Sequence, residues 1–254
     1  MIPISNDPTF SVIQRTLGQA VSQQQLEEAS TQVPTIARAD CIRIHKLLAG
    51  IFISRISRPE ALAFQRGLAM QGIEAEVVAD AQLPALPLGV RSMRVSRIEN
   101  QLHCRDVMER ETIVPLHEIL FIAAGVIQEK RFGTKTVTRA RIAGRGQMTH
   151  VHETQRTETT ERSVTLDLFF TRPPYRFNFQ AGEASCFFVQ DHAIRPRLPD
   201  LVAWAFQKVR GWAPADCRLN QHIHHDKPLE HPIAKVAYEE EIRWRFHRLR
   251  HPAS

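Results

Sequence analysis

The chain has 254 residues, a mass of 29.0 kDa and a formal net charge of +6, from 33 Lys and Arg residues against 27 Asp and Glu residues. Domains commonly run to about 100–200 residues, so this length predicts one large or two modest domains. The hydrophobic fraction of 43% and the charged fraction of 24% are ordinary for a globular protein. These values exclude a fully disordered or fibrous chain, and they do not indicate a function.

The sequence predicts a cytoplasmic protein without a membrane span. No apolar run approaches the roughly 18 residues that a membrane-spanning helix needs. Residues 1–7 lack the basic start and the apolar run of a signal peptide. The cysteines are scattered and form no C-x-x-C pair, so we expect reduced, mostly buried thiols at Cys41, Cys104, Cys186 and Cys217.

Residues 8–79 predict a small α+β unit of three strands and three helices. Ser57 and Glu60 form an S-x-x-E capping box at the start of a helix that ends at Gly72. The remaining elements are strands near 9–13, 52–56 and 73–77 and helices near 22–33 and 40–48. An alternative interpretation makes 41–45 a strand, which gives a ferredoxin-like unit of the same α+β class.

A proline-rich linker at 80–89 precedes a second, β-rich domain at 90–254. Its strands are predicted near 90–98, 101–105, 111–114, 119–127, 164–170, 175–179 and 186–189, and its helices near 198–210 and 233–250. Several strands followed by a helix suggest a half-open barrel that resembles the pleckstrin-homology type. Between the strands, residues 129–162 are threonine-rich and carry eight Lys and Arg residues against four Glu residues. We expect this segment to be a long, flexible basic insert without secondary structure.

The first unit also carries a set of residues that match a known family. They are Phe10-Ser11-Val12-Ile13, Ser57-Arg58-Pro59-Glu60-Ala61, Leu68, Gly72 and Glu74-Ala75-Glu76-Val77-Val78. On these residues, 9–78 resembles the C-terminal domain of the bacterial ribosomal stalk protein, whose fold is shared with the Clp-protease adaptor. The resemblance implies a compact protein-binding module. Residues 37–42 lack the family's Gly-Leu-rich turn, and the preceding helix carries Gln and Glu instead of Lys, so no binding residue is carried over.

A histidine cluster is the best candidate metal site in the sequence. His222, His224 and His225 lie close together, and zinc is often held by such side chains. No H-E-x-x-H or C-x-x-C pattern accompanies them, and neighbouring prolines favour a solvated loop. We therefore predict no cofactor.

A catalytic constellation is not found in the sequence. No serine lies in a G-x-S-x-G pattern, and the cysteines lie in apolar or helical settings that are typical of inert thiols. Gly144 and Gly146 lack the Lys-Ser/Thr pair of a phosphate-binding loop. The run Glu239-Glu240-Glu241 is explained by ion pairs with arginines one helical turn later. A non-catalytic role is therefore favoured.

Two basic segments are candidates for binding nucleic acid. The first is the insert, with Lys130, Arg131, Lys135, Arg139, Arg141 and Arg145. The second is the last helix, where an aromatic ring lies among cations at Arg243, Trp244, Arg245 and Arg248. This composition can stack on bases and neutralise phosphates. The alternative is a buried Trp244 and a solvated insert, and a net charge of only +6 on 254 residues favours it.

The sequence thus predicts a two-domain α+β protein that binds another protein, as an interaction module or adaptor. This hypothesis depends on the resemblance and on the lack of a catalytic constellation. The alternative is an RNA- or ribosome-associated protein that uses the basic insert and the arginine-rich last helix.

Overall fold

A computed structural model describes residues 7–16, 19–47, 50–143, 147–173, 175–213 and 232–250. These residues form five α-helices and twelve strands in two sheets, which confirms the predicted α+β class. None of the helices in these ranges has both the length and the apolar character that crossing a membrane requires.

The first sheet belongs to the N-terminal unit and has three antiparallel strands. In chain order the elements of this unit are β1 (Phe10–Gln14), α1 (Gln23–Ala29), α2 (Arg38–Leu47), β2 (Ile51–Ile56), α3 (Arg58–Met70) and β3 (Ala75–Ala79). The sheet order is β2-β1-β3, and the three helices cover one face with a core that includes Val12, Leu26, Phe64 and Leu68. The predicted elements are confirmed, and the alternative strand at 41–45 is wrong because these residues lie inside α2.

Local sequence signals explain where α3 begins and ends. The Ser57 hydroxyl accepts a hydrogen bond from the Glu60 backbone N–H, and the Ser57 backbone N–H donates to Glu60 Oε2 at 3.0 Å. This is the predicted capping box, and Gly72 follows the helix with a φ of +72°. Gly67 lies where α3 meets α1, since a Cβ at this position would clash with the Ala29 carbonyl oxygen. The close packing of the two helices therefore requires a glycine there.

The second sheet contains nine of the described strands. They are β4 (Val90–Ile98), β5 (Gln101–Asp106), β6 (Glu111–Pro115), β7 (Ile119–Ala143), β8 (Gln147–Phe170), β9 (Arg176–Ala181), β10 (Phe187–Val189), β11 (His192–Ile194) and β12 (Pro232–Ala234). The order is β11-β10-β4-β9-β8-β7-β12, with β5 on β4 and β6 on β5. Helix α4 (Pro199–Arg210) packs on this sheet through Val202, Phe206 and Val209. A β-rich unit with a helix against it was expected, and the resemblance to a pleckstrin-homology half barrel stays a prediction.

Residues 129–143 and 147–162 are not a loop, and the prediction of a loop is wrong for them. Strands β7 and β8 continue through them as the two arms of an antiparallel hairpin, paired without interruption from Phe121 opposite Phe169 to Ala143 opposite Gln147. Threonine and valine recur along both arms, and β-branched residues favour extended backbone. Because both faces of the arms are polar, the segment lacks the apolar alternation from which a strand is predicted.

The last helix, α5 (Lys235–Arg250), lies between the two sheets. On one side Tyr238 and Phe246 pack on β7 and β8. The Phe246 ring meets the Phe121 and Phe169 rings edge-on, with centroid distances of 4.9 and 5.1 Å. This side of the helix completes the core under the nine-stranded sheet.

The other side of α5 covers the three-stranded sheet through Trp244. The indole ring packs in a cluster with Ile13, Ile51, Val78 and Leu83. Its Nε1–H donates a hydrogen bond to the Gln14 carbonyl oxygen at 2.7 Å. Gly50, with a φ of +84°, lies directly under the ring, since a Cβ there would be 2.6 Å from Trp244 Cγ. Helix α5 is therefore packed against both sheets at once.

Candidate peptide-binding groove

Strand β2 forms one edge of the three-stranded sheet. Its inner side pairs with β1, for example at Val12 opposite Ile53 and Ile13 opposite Ile51. Its outer side pairs with no strand in the part of the chain that the structure describes. Helices α1–α3 cover one face of the sheet and α5 covers the other. The outer edge of β2 therefore lies in a channel between α2 and α5.

This channel is a groove of about 300 Å³. Strand β2 lines it with residues 51–55, α2 contributes Arg43 and Ile44, and α5 contributes Glu240 and Arg243. Helix α2 and strand β2 are neighbours in the sequence, and α5, which is distant from both, meets them along one sheet edge. The volume lies at the lower end of the range of about 300–1,000 Å³ that is typical of ligand-binding clefts.

Arg55 lines the groove with a backbone conformation that few non-glycine residues adopt. Its φ is +63°, and its backbone N–H donates to Asp80 Oδ2 at 3.1 Å. The other carboxylate oxygen of Asp80 accepts a hydrogen bond from the Ser11 hydroxyl. A left-handed non-glycine residue costs about 1–3 kcal/mol and persists only where its surroundings hold it. Asp80 therefore fixes the position of Arg55 beside the groove.

The groove carries an excess of positive charge. Arg43, Arg55 and Arg243 line it together with one acidic residue, Glu240. Burial raises the pKa of the Glu240 carboxyl, while the nearby Arg43 and Arg243 act in the opposite direction. Arg43 also reaches Asp40 at 3.5 Å, but 57% of its side chain stays exposed. The groove therefore favours a ligand that carries carboxylates.

A free strand edge offers backbone N–H and C=O groups that an extended chain can match as an additional strand. Main-chain hydrogen bonds of this kind are independent of the side chains of the ligand, so the surrounding charges decide which sequences bind. At the β2 edge those charges are three guanidinium groups, which suit carboxylate side chains. The arrangement can thus hold an extended acidic peptide.

A second polar cluster lies between α5 and the nine-stranded sheet. Asp167 is fully buried and accepts hydrogen bonds from Tyr238 Oη at 2.6 Å, Arg176 Nε at 2.8 Å and Asn178 Nδ2 at 2.8 Å. Burial raises the pKa of the Tyr238 hydroxyl well above its ordinary value, so this group stays a neutral donor. A cavity of about 200 Å³ adjoins the cluster and is also lined by Lys235. Because its own neighbours saturate the carboxylate, the cluster holds α5 on the sheet.

Most of the predicted nucleic-acid residues of the last helix lie in packed positions. Trp244 is 7% exposed, so neither face of its ring can stack on a base. Arg245 donates twice to the buried Glu241 carboxylate, at 3.0 and 2.7 Å. Arg248 forms an ion pair with β3 at 3.0 Å. The structure thus corrects the interpretation of Trp244, whereas nucleic-acid binding by Arg245 and Arg248 stays a prediction and Arg243 lines the groove.

The predicted basic residues of the insert lie on the hairpin of β7 and β8, away from the groove. Strand β7 carries Lys130, Arg131, Lys135, Arg139 and Arg141. Lys130 is exposed and forms an ion pair with Glu158 at 2.5 Å. Arg145 lies outside the described residues. The two basic segments of the sequence therefore do not form one surface.

The predicted metal residues His222, His224 and His225 lie outside the described residues. Within the described ranges, no group of three or more His, Cys, Asp and Glu side chains is arranged to hold a metal ion. Burial raises the pKa of the Cys104 thiol, so this cysteine stays protonated. The described part of the chain therefore places no such metal-binding group beside the groove.

The chain matches no protein-family model, no curated protein and no solved structure with which it was compared. The groove is therefore interpreted from its geometry alone. Sequence patterns miss Arg43 and Arg55, which belong to no motif. The signal that could have found Arg55 is that it is the one charged residue in the strand Ile51–Ile56.

Proposed function

We propose that this chain is a protein-interaction module that binds an extended acidic segment of another protein along the outer edge of β2. The observation that carries this proposal is an edge of β2 that no described strand pairs with, lined by arginines from three elements. Arg43 comes from α2, Arg55 from β2 itself and Arg243 from α5. Backbone pairing would supply much of the affinity, and the guanidinium groups would select acidic sequences.

The two helices beside the groove give this binding mode its specificity. An added strand would place successive side chains on opposite faces of the sheet. Side chains on one face would meet Arg43 of α2, and those on the other would meet Arg243 of α5. A segment whose alternate residues are acidic therefore meets an arginine whichever face its carboxylates occupy.

Two further observations support this class of function. The resemblance of 9–78 to the ribosomal stalk domain implies a compact protein-binding module, in which the groove would be a binding edge. The free thiols Cys41 and Cys104 are both buried, as expected of a protein in a reducing compartment. We therefore include a cytoplasmic location in the proposal.

A peptide titration tests the proposal. Full-length protein is added to a fluorescein-labelled peptide, Val-Glu repeated four times, and the fluorescence anisotropy is measured. We expect saturable binding that the double variant Arg43→Gln/Arg243→Gln weakens about tenfold, which corresponds to about 1.4 kcal/mol. The same peptide with alternate backbone nitrogens methylated should lose binding, because it cannot donate hydrogen bonds to the strand edge.

The matched control is Arg58→Gln/Arg66→Gln, which removes the same charge from exposed positions on α3. This variant should bind the acidic peptide within about twofold of the unmodified protein, since its sites lie outside the groove. A Val-Lys peptide of equal length should not bind. Equal losses of affinity in the two double variants, or equal binding of the lysine peptide, would contradict the proposal.

A further inference from the structure

The hairpin of β7 and β8 leaves the nine-stranded sheet as a two-stranded ribbon. Strand β12 pairs with β7 at 126–128, and β9 pairs with β8 at 164–169. Beyond these positions, the 14 residues of 130–143 and the 14 residues of 147–160 pair with each other and with no further described strand. At about 3.3 Å per residue, each arm is about 45 Å long.

This ribbon holds most of the net charge of the chain. Residues 130–143 and 147–160 contain six Lys and Arg residues against two Glu residues, which gives +4 out of the total of +6. Averaged over all 254 residues, the net charge indicates only a weakly basic protein. The charge is instead concentrated on one projecting element.

The register of the hairpin divides this charge unequally between the two faces of the ribbon. Residues directly opposite each other share a face, and successive residues alternate between faces. The odd-numbered register positions, called the basic face here, belong to Arg131, Lys135, Arg139, Arg141 and Glu153. The opposite face carries Lys130, Arg156 and Glu158. The basic face therefore has a net charge of +3, against +1 for the other face.

We propose that the ribbon binds double-stranded DNA by placing its basic face against the phosphodiester backbone. The major groove of B-DNA is about 12 Å wide and admits a two-stranded ribbon, whereas the major groove of A-form RNA is too narrow for protein side chains to read. Two-stranded ribbons also twist strongly, which lets them follow a groove. An arm of about 45 Å spans a full turn of the duplex, which is about 34 Å.

A salt titration tests this inference independently of the peptide groove. Full-length protein is titrated into a labelled 20-base-pair DNA duplex at several KCl concentrations. Four phosphate contacts predict a slope of about −3.6 for log K against log[salt]. The variant Lys135→Gln/Arg139→Gln should make the slope shallower by about 1.8 and weaken binding by tens of fold at 100 mM salt, on the order of the loss of two contacts.

The matched control is Lys130→Gln/Arg156→Gln, which removes the same charge from the opposite face. It should change the affinity by less than about threefold, on the order of a screened, distant charge. Arg43→Gln/Arg243→Gln should leave DNA binding unchanged. The proposals for the peptide groove and for the ribbon are therefore tested independently of each other. Equal losses from both faces would overturn the assignment of the basic face. Equal binding of single-stranded DNA or of an RNA duplex would overturn the assignment of duplex DNA.

Discussion

The two sheets hold helix α5 in different ways. Against the nine-stranded sheet, α5 buries Tyr238, Ile242 and Phe246 in one cluster and adds a hydrogen bond to the buried Asp167. Against the three-stranded sheet, its apolar contact is the single ring of Trp244. The first contact buries several apolar side chains, whereas the second has one apolar ring, joined by Arg248, which forms an ion pair with Glu76 at 3.0 Å and donates to the Gln14 carbonyl oxygen at 2.9 Å. Since α5 also forms part of the peptide groove, that groove depends on the weaker of the two contacts.

Removing the Trp244 contact between α5 and the three-stranded sheet should give the largest loss of stability. Trp244→Ala removes the buried indole and its hydrogen bond to Gln14, and we expect it to cost about 3–5 kcal/mol of stability. Hydrogen exchange measured by mass spectrometry should accelerate in β1–β3 and change little in β7–β9. Phe246→Ala is the control, because it should accelerate exchange in β7 and β8 first. Equal acceleration of both sheets in Trp244→Ala would contradict the comparison.

Removing the hydrogen bond between Tyr238 and Asp167, which joins α5 to the nine-stranded sheet, should give an intermediate loss of stability. Tyr238→Phe removes the hydroxyl that donates to Asp167, and a hydrogen bond to a charged group is worth about 1.5–3 kcal/mol. Urea unfolding should therefore show a lower midpoint. Tyr175→Phe is the control, since Tyr175 is 48% exposed and should change stability by less than about 0.5 kcal/mol. Similar small losses in both variants would show that the buried cluster does not hold α5.

Substitutions at two glycines compare the free-energy cost of a left-handed backbone with the cost of a steric clash. They are the smallest of these effects. Gly50 and Gly72 both have positive φ, +84° and +72°. A Cβ at position 50 would be 2.6 Å from the Trp244 ring, whereas a Cβ at position 72 would meet nothing within 4 Å. Gly72→Ala should cost about 1 kcal/mol, and Gly50→Ala should cost about 1–2 kcal/mol more. If the two variants unfold at the same urea concentration, the Trp244 ring can move away from the added Cβ without a loss of stability.

The sequence predicts the N-terminal unit well because its signals are local. The capping box of Ser57 and Glu60 and the stop at Gly72 lie within 16 residues of each other, and the structure shows both. Local patterns likewise predict α4 and the strands near 90–98 and 101–105, which the structure shows as β4 and β5. Such features depend on a few neighbouring residues, so no tertiary contact is needed to predict them.

The features that position the candidate sites are not local. Trp244 among arginines is typical of a nucleic-acid surface, and only its packing on the three-stranded sheet shows that it is buried. Residues 129–162 have two polar faces, so nothing in their pattern distinguishes a ribbon from a loop. The groove joins Arg43 to Arg243, which lie 200 positions apart in the chain. A single sequence contains no signal for that contact.

Hydrogen exchange in the presence of the acidic Val-Glu peptide tests the central claim most directly. Strands β2 and β3 are the two edges of the same sheet, so each is the control for the other. If the peptide adds a strand at the groove, amide exchange should slow in residues 51–55 and stay unchanged in residues 75–79. Binding that slows exchange in β3, or that leaves β2 unprotected, would contradict the proposed function.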